Sequence, residues 1–191
     1  AWRRFFPATT LKQYVPPPIV LVPKSPIVTD NDPVRGSKTA RHTLVEFGDF
    51  ECSACRWNAS FEDALLAKHP DLRLVWKDAP SADHFFARTA ALAGYCAQEQ
   101  GKFWEFRKGL FEIGTPVEIM IIEVARDIGL TLIRFNDCRH QESTARRIDS
   151  AVLQALALDI NATPFYFLDG QPLGVLGSLE EFTAALSAVK K

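Results

Sequence analysis

The spacing of apolar residues changes twice along this chain, and those changes restrict the folds open to it. Thr43-Leu44-Val45-Glu46-Phe47 reads as a buried strand. Over residues 56–69 Trp57, Phe61, Leu65 and Leu66 recur at helical spacing until Pro70, which ends the helix. Leu72-Arg73-Leu74-Val75-Trp76 is a second strand. A strand–helix–strand unit of this length implies a parallel pair with a right-handed crossover. Helical spacing then persists. Residues 84–98 are alanine-rich, 102–111 resume after Gly101, 117–128 stop at Gly129, and 132–138 make a short helix. Residues 140–158 place Ile148, Val152, Leu156 and the adjoining Ala155 on one stripe. The period then returns to two: residues 164–168, the Asp169-Gly170 turn and residues 173–176 form a β-hairpin. Ser178-Leu179-Glu180-Glu181 is a capping box that opens a last helix to about residue 189. The order βαβ, helical block, ββα predicts an α/β fold with one sheet drawn from both ends of the chain. Residues 41–80 and 156–191 would make this discontinuous domain, with residues 81–155 as an inserted helical domain.

Seven of the twelve prolines fall before residue 34, where they remove amide donors and disfavour helix in the residue before each. Residues 1–40 are therefore expected as an extended arm, with Pro16-Pro17-Pro18 in polyproline II. The arm reads as a linker lying along the domain or as a docking segment, and Ile19-Val20-Leu21-Val22 would bury against the domain or join a sheet edge. The first residues lack the apolar core of a secretory signal. The chain also starts at Ala1, as a processed precursor or a fragment would. A net charge of −1 gives no basic field to collect nucleic acid. No apolar run approaches the ~18 residues needed to cross a bilayer.

The chemistry-bearing feature is Cys52-Ser53-Ala54-Cys55, just after the first strand and at the start of the first helix. Two cysteines at this spacing can close a disulfide across one turn. Unpaired amides and the positive dipole end of the helix favour a thiolate there. Cys52 is expected as the exposed attacking sulfur and Cys55 as the shielded one that resolves the mixed disulfide. The competing reading is half of a zinc site, but a second Cys-x-x-Cys or a spaced histidine pair is absent. No metal or organic cofactor is called for. Glu51 reads as a surface acid.

Glu46 is an acid inside an apolar strand, six residues before Cys52. One reading is a buried carboxylate that relays protons to or from Cys55, with a pKa raised by desolvation. The other is a strand-end acid that reaches solvent or pairs with Lys77. Thr163-Pro164 opens the later run Phe165-Tyr166-Phe167. Proline at a strand entrance is either an edge residue or a cis bond, and the fold context favours cis. Thr163 and Pro164 would then face whatever occupies Cys52. Cys96 and Cys138 are either two buried thiols or a bridge between inserted helices. His84 and His140 read as surface or capping residues. Trp57, Phe103 and Trp104 read as core.

Val45-Glu46-Phe47-Gly48-Asp49-Phe50-Glu51-Cys52-x-x-Cys55 resembles bacterial DsbA-like thioredoxin-fold proteins, after Asp32-Pro33-Val34-x-Gly36. So do Gln100-Gly101-Lys102-Phe103-Trp104-Glu105-Phe106 and Ala162-Thr163-Pro164-Phe165-Tyr166-Phe167. The resemblance spans about residues 30–190, with its motifs in the family's order. It implies a thioredoxin fold with a helical insertion, a redox-active Cys52–Cys55 pair, cis-Pro164, Glu46 as the family's buried acid, and an extracytoplasmic home in the periplasm or cell envelope. The residues between the cysteines are Ser-Ala, where the strong oxidase has Pro-His, and Thr163 precedes the proline as in isomerase-type members. The expected function is thiol–disulfide exchange on cysteine-containing proteins, with disulfide donation slightly favoured over isomerisation or reduction. A redox partner, membrane-bound or soluble, is implied. The alternative is a non-enzymatic, chaperone-like binding module.

Overall fold

The computed structural model describes residues 24–189. The triple proline and Ile19-Val20-Leu21-Val22 lie outside the described residues. The strands are β1 (Val34–Gly36), β2 (His42–Gly48), β3 (Leu72–Asp78), β4 (Phe165–Leu168) and β5 (Gln171–Gly174). The helices are α1 (Ser53–Lys68), α2 (Ala87–Gln98), α3 (Phe103–Ile113), α4 (Glu118–Asp127), α5 (Leu132–Arg139), α6 (Glu142–Ala157) and α7 (Leu179–Val189).

One sheet runs in the order β1-β3-β2-β4-β5. β2 and β3 are parallel, with Val45 beside Val75 and Glu46 beside Trp76. β2 and β4 are antiparallel, with Glu46 beside Tyr166 and Phe47 beside Phe165. β2 is thus hydrogen-bonded on both edges, which accounts for its unbroken apolar run. Pro172, which has no amide to donate, sits in edge strand β5. Asp169 (φ 50°) and Gly170 (φ 80°) turn the hairpin with two positive φ angles, as the Asp-Gly signal requires. Gly48 ends β2 under the Trp76 ring, where a Cβ would come within 2.3 Å of its carbons.

Alternate residues face opposite layers. Leu44, Leu72 and Leu74 pack under α1 and α7 with Leu65, Phe182 and Leu186. Val45, Phe47, Val75 and Phe167 pack under Ala155 of α6 and Ile160. A third core joins the inserted helices to the sheet. In it Phe50 lies 5.3 Å from Trp76 and 6.1 Å from Phe103, ring centre to ring centre. A disulfide between Cys96 and Cys138 ties α2 to α5.

Several boundaries differ from the sequence reading. The sheet takes in Val34–Gly36, which pair antiparallel with β3, so the arm expected over residues 1–40 gives way to a strand before its end. α2 starts at Ala87 rather than at residue 84, because Ser81 to Phe86 are held as a loop by side chains described below. α6, Glu142–Ala157, falls within the helix expected over residues 140–158. On its stripe Ile148 and Ala155 are buried, whereas Leu156 is 66% exposed.

Candidate active site

The turn Asp49 to Glu51 delivers the chain from β2 into α1, and Cys52 is the helix N-cap. Its sulfur does what a serine hydroxyl does elsewhere, accepting the Cys55 amide at 3.1 Å. Across the groove the Thr163–Pro164 peptide is cis. The Thr163 carbonyl lies 3.3 Å from Cys52 Sγ, which donates to it only while the sulfur carries its proton. Both cysteines are free thiols in this structure.

The two sulfurs titrate in opposite directions. Cys52 is pulled down to about 6 by its hydrogen bond from the Cys55 thiol, against burial, with help from Thr163 and the Cys55 and Ala54 amides. Cys55 is pushed far up, first by burial and then by giving its hydrogen bond to Cys52; Glu46 adds to this only when it is ionised. At neutral pH this makes Cys52 the thiolate and Cys55 the thiol.

Beneath them lies a buried charge cluster. Glu46 is fully buried and accepts Arg107 Nη2 at 2.9 Å. Arg107 also holds Glu62 of α1 with two bonds, at 2.6 and 2.8 Å. The guanidinium stacks 4.6 Å from the Trp76 ring centre and 4.8 Å from that of Phe111. Burial pushes the Glu46 carboxyl well up, and the adjacent Glu62 adds to this against Arg107. Burial also opposes charge on Glu62, but the charge and hydrogen bonds of Arg107 prevail and hold it below the usual range. A proton in the cluster is therefore held more readily on Glu46 than on Glu62, which Arg107 binds with two hydrogen bonds. Glu46 Oε1 has no hydrogen-bond partner among the described residues.

Glu46 neither reaches solvent nor pairs with Lys77. Lys77 belongs to the other face of the sheet, where it binds Asp32 at 2.6 Å. Glu62 and Arg107 escaped the sequence reading, because a Glu and an Arg on amphipathic helices look like solvated positions. The relevant signal was that each falls on its helix's apolar side. Trp57, expected in the core, is 65% exposed, with Nε1 donating to the Gly177 carbonyl at 3.3 Å. Glu51 is no bare surface acid, since its carboxylate accepts the Phe86 amide at 2.8 Å. His84 is held by Asp49 at 2.8 Å, while exposed His140 caps the end of α5. Asn58, also unnoticed in the sequence, donates to Tyr166 Oη at 3.0 Å and the Leu176 carbonyl at 2.7 Å.

A groove of about 630 Å³ opens over Cys52, lined by Ala79, Pro80, His84, Val152, Leu156 and Thr163 among others. Its floor carries a nucleophilic sulfur and a backbone carbonyl, and its walls are mainly apolar. Such a site can take an extended, apolar segment of another chain and present it to Cys52.

Fold and site together define a thioredoxin-type sheet carrying a helical insertion. A family model described as Thioredoxin matches residues 28–188, and the chain belongs to the thioredoxin family. A thioredoxin-like oxidoreductase from Silicibacter pomeroyi superposes with a TM-score of 0.76 at 26% identity, over 85% of this chain and 95% of that one. Oxidised BdbD from Bacillus subtilis superposes with a TM-score of 0.75 at 20% identity, over 87% of this chain and 96% of its own. The fold is thus that of DsbA-like proteins. A curated relative from Salinispora arenicola, named Na(+)/H(+) antiporter NhaA 1, is 32% identical over 165 residues, which are 85% of this chain and 25% of that protein. The chain spans about a quarter of the length of the curated relatives it matches. No helix among the described residues is long and apolar enough to cross a membrane.

Proposed function

We propose that this chain is a thiol–disulfide oxidoreductase acting on protein cysteines through Cys52 and Cys55. The observation that carries the reading is the placement of two free thiols in one helical turn, with Cys52 accepting the Cys55 amide at 3.1 Å and opening onto an apolar groove beside Thr163, and Cys55 buried beneath it. In the donating direction a substrate thiolate attacks Cys52 Sγ of the Cys52–Cys55 disulfide. Cys55 leaves as a thiolate and takes a proton from Glu46. A second substrate thiolate then attacks the substrate sulfur bound to Cys52, forming the substrate disulfide and expelling the Cys52 thiolate. The two electrons stay on the cysteine pair until a redox partner removes them, so no other cofactor is needed. Thr163 and Pro164 hold the substrate backbone beside Cys52.

Disulfide donation is favoured over isomerisation or reduction because a stabilised Cys52 thiolate stabilises the reduced state. An extracytoplasmic setting belongs to the same reading, since a structural Cys96–Cys138 bridge persists in oxidising compartments. The apolar walls of the groove favour one further reading, a chaperone-like module that grips unfolded chains without exchanging thiols.

The test is equilibration of the pair against glutathione buffers. A potential near about −120 mV marks a disulfide donor, and about −200 to −270 mV marks isomerase or reductase work. Cys52→Ser should abolish exchange, and Cys55→Ser should trap mixed disulfides on Cys52. If Cys52→Ser retains full activity towards unfolded substrate, the binding module stands instead.

A further inference from the structure

Asp49 is 2% exposed, yet its carboxylate is fully engaged. Oδ1 accepts the Glu51 amide at 2.8 Å, and Oδ2 accepts the Ser81 amide and His84 Nδ1, each at 2.8 Å. Its carbonyl accepts the Cys52 amide at 3.2 Å. Glu51 meanwhile accepts the Phe86 amide. Two acids in the turn before Cys52 thus hold the loop from Ser81 to Phe86 against the N-terminus of α1. The two amide bonds would suffice as a clamp. The imidazole adds something a clamp does not need.

With Nδ1 donating to Asp49, the ring has a fixed tautomer and a free Nε2 edge. The His84 side chain is 35% exposed and lines the same groove as Cys52. From α6 the groove receives Val152, Ala155 and Leu156, and from the following loop Ile160, Asn161, Ala162 and Thr163. Among the described residues lining it, His84 is the one able to carry positive charge. The ionisable groups acting on it are Asp49, Glu51 and Cys52. The Asp49 hydrogen bond raises its pKa against partial burial, and the charges on Asp49, Glu51 and Cys52 add to that.

Resting on the oxidoreductase reading, we propose that His84 is a positioning residue for the reaction: an imidazolium anchored by Asp49 that stabilises the Cys52 thiolate across the mouth of the groove. When the thiolate is consumed in a disulfide, the imidazolium loses its counter-charge and releases its proton more readily. His84 thereby couples the redox state of Cys52 to pH without touching the reacting sulfur.

Reciprocity supplies the test, because a proton on His84 and a charge on Cys52 must strengthen each other by the same factor. Cys52 is titrated by ultraviolet thiolate absorbance in the wild-type chain and in His84→Gln. His84 is titrated by NMR in the reduced wild-type chain and in Cys52→Ser, which leaves the Asp49 clamp in place. The expected result is a rise of the Cys52 pKa by roughly 0.5–1 and an equal fall of the His84 pKa, the size of one charge acting across a partly screened groove. An unchanged His84 pKa in Cys52→Ser overturns the proposal, whatever His84→Gln does to the fold. Neither titration needs a substrate. A chain that shows the reciprocal shift but exchanges no thiols would sink the oxidoreductase reading and keep this coupling, while one that exchanges thiols with no shift would do the reverse.

Discussion

Cys52 and Cys55 leave the same turn of α1 into different surroundings. Cys52 is 7% exposed and Cys55 is 0% exposed, and burial opposes charge on both. On Cys55 burial is the largest effect, whereas on Cys52 the converging hydrogen bonds outweigh it. Cys52 receives the Cys55 thiol and amide and lies at the mouth of the groove. Cys55 gives its hydrogen bond away and faces the acid below. The lesson is that burial raises a thiol pKa only until enough donors converge on the sulfur. The mouth of the site is built to hold a charge, and the floor is built to hold a proton.

The strongest way to break this contrast is at the floor. Arg107→Met leaves Glu46 and Glu62 buried without their cation and should cost ~3–5 kcal/mol in urea denaturation. Adding Glu62→Gln to the same chain should recover part of that loss. If the double variant is as unstable as the single one, Glu62 is not the charge that Arg107 balances. Replacing both Cys96 and Cys138 with alanine should cost ~2–4 kcal/mol by freeing the denatured chain. It should leave the Cys52 pKa where it was, which thiolate absorbance would check.

Glu46→Gln removes the proton held for Cys55 and should slow reduction of the Cys52–Cys55 disulfide on the order of 10²-fold at neutral pH. An unchanged stopped-flow rate would take Glu46 out of the reaction. The mildest test sharpens the contrast without a mutation. The potential of the pair should fall by ~59 mV per pH unit below about pH 6 and by ~30 mV above it, because reduction then takes up one proton rather than two. The sign for stability follows from a folded pKa below the unfolded value of about 8.5. Stability that the reduced chain draws from Cys52 is fully present above about pH 8.5. It drains as pH falls through about 6, and the oxidised chain shows no such loss.

The parts of this molecule legible in its sequence were those set by local rules. The Asp-Gly turn, the helix stops at Gly101 and Gly129 and the capping box each act within a few residues. Short motifs also placed Cys52 at the start of α1, Cys55 one turn on, and the cis peptide at Thr163–Pro164. The rest depended on distant pairings. Arg107 meets Glu46 across 61 positions and Glu62 across 45, so nothing near either acid announced its partner. Trp57 repeats at core spacing on α1, yet it lies beyond the edge of the layer that buries Leu65. The start of α2 was misread because Asp49 and Glu51 hold the loop ahead of it from 35 residues upstream. Those same bonds show why Glu51 looked like surface from sequence alone.

The placement of Arg107 has a consequence for how far this architecture can be taken apart. The cation that neutralises the floor of the site rises from α3, inside the insertion, while the acids it serves stand on β2 and α1. An abridged chain with the helices excised and the sheet rejoined would keep both cysteines and the proline opposite them. It would also keep two interior carboxyls with no cation between them. The insertion is therefore no detachable lid. This cysteine pair cannot be transplanted as a short motif, because its electrical ground runs through a helix that a minimal scaffold does not have.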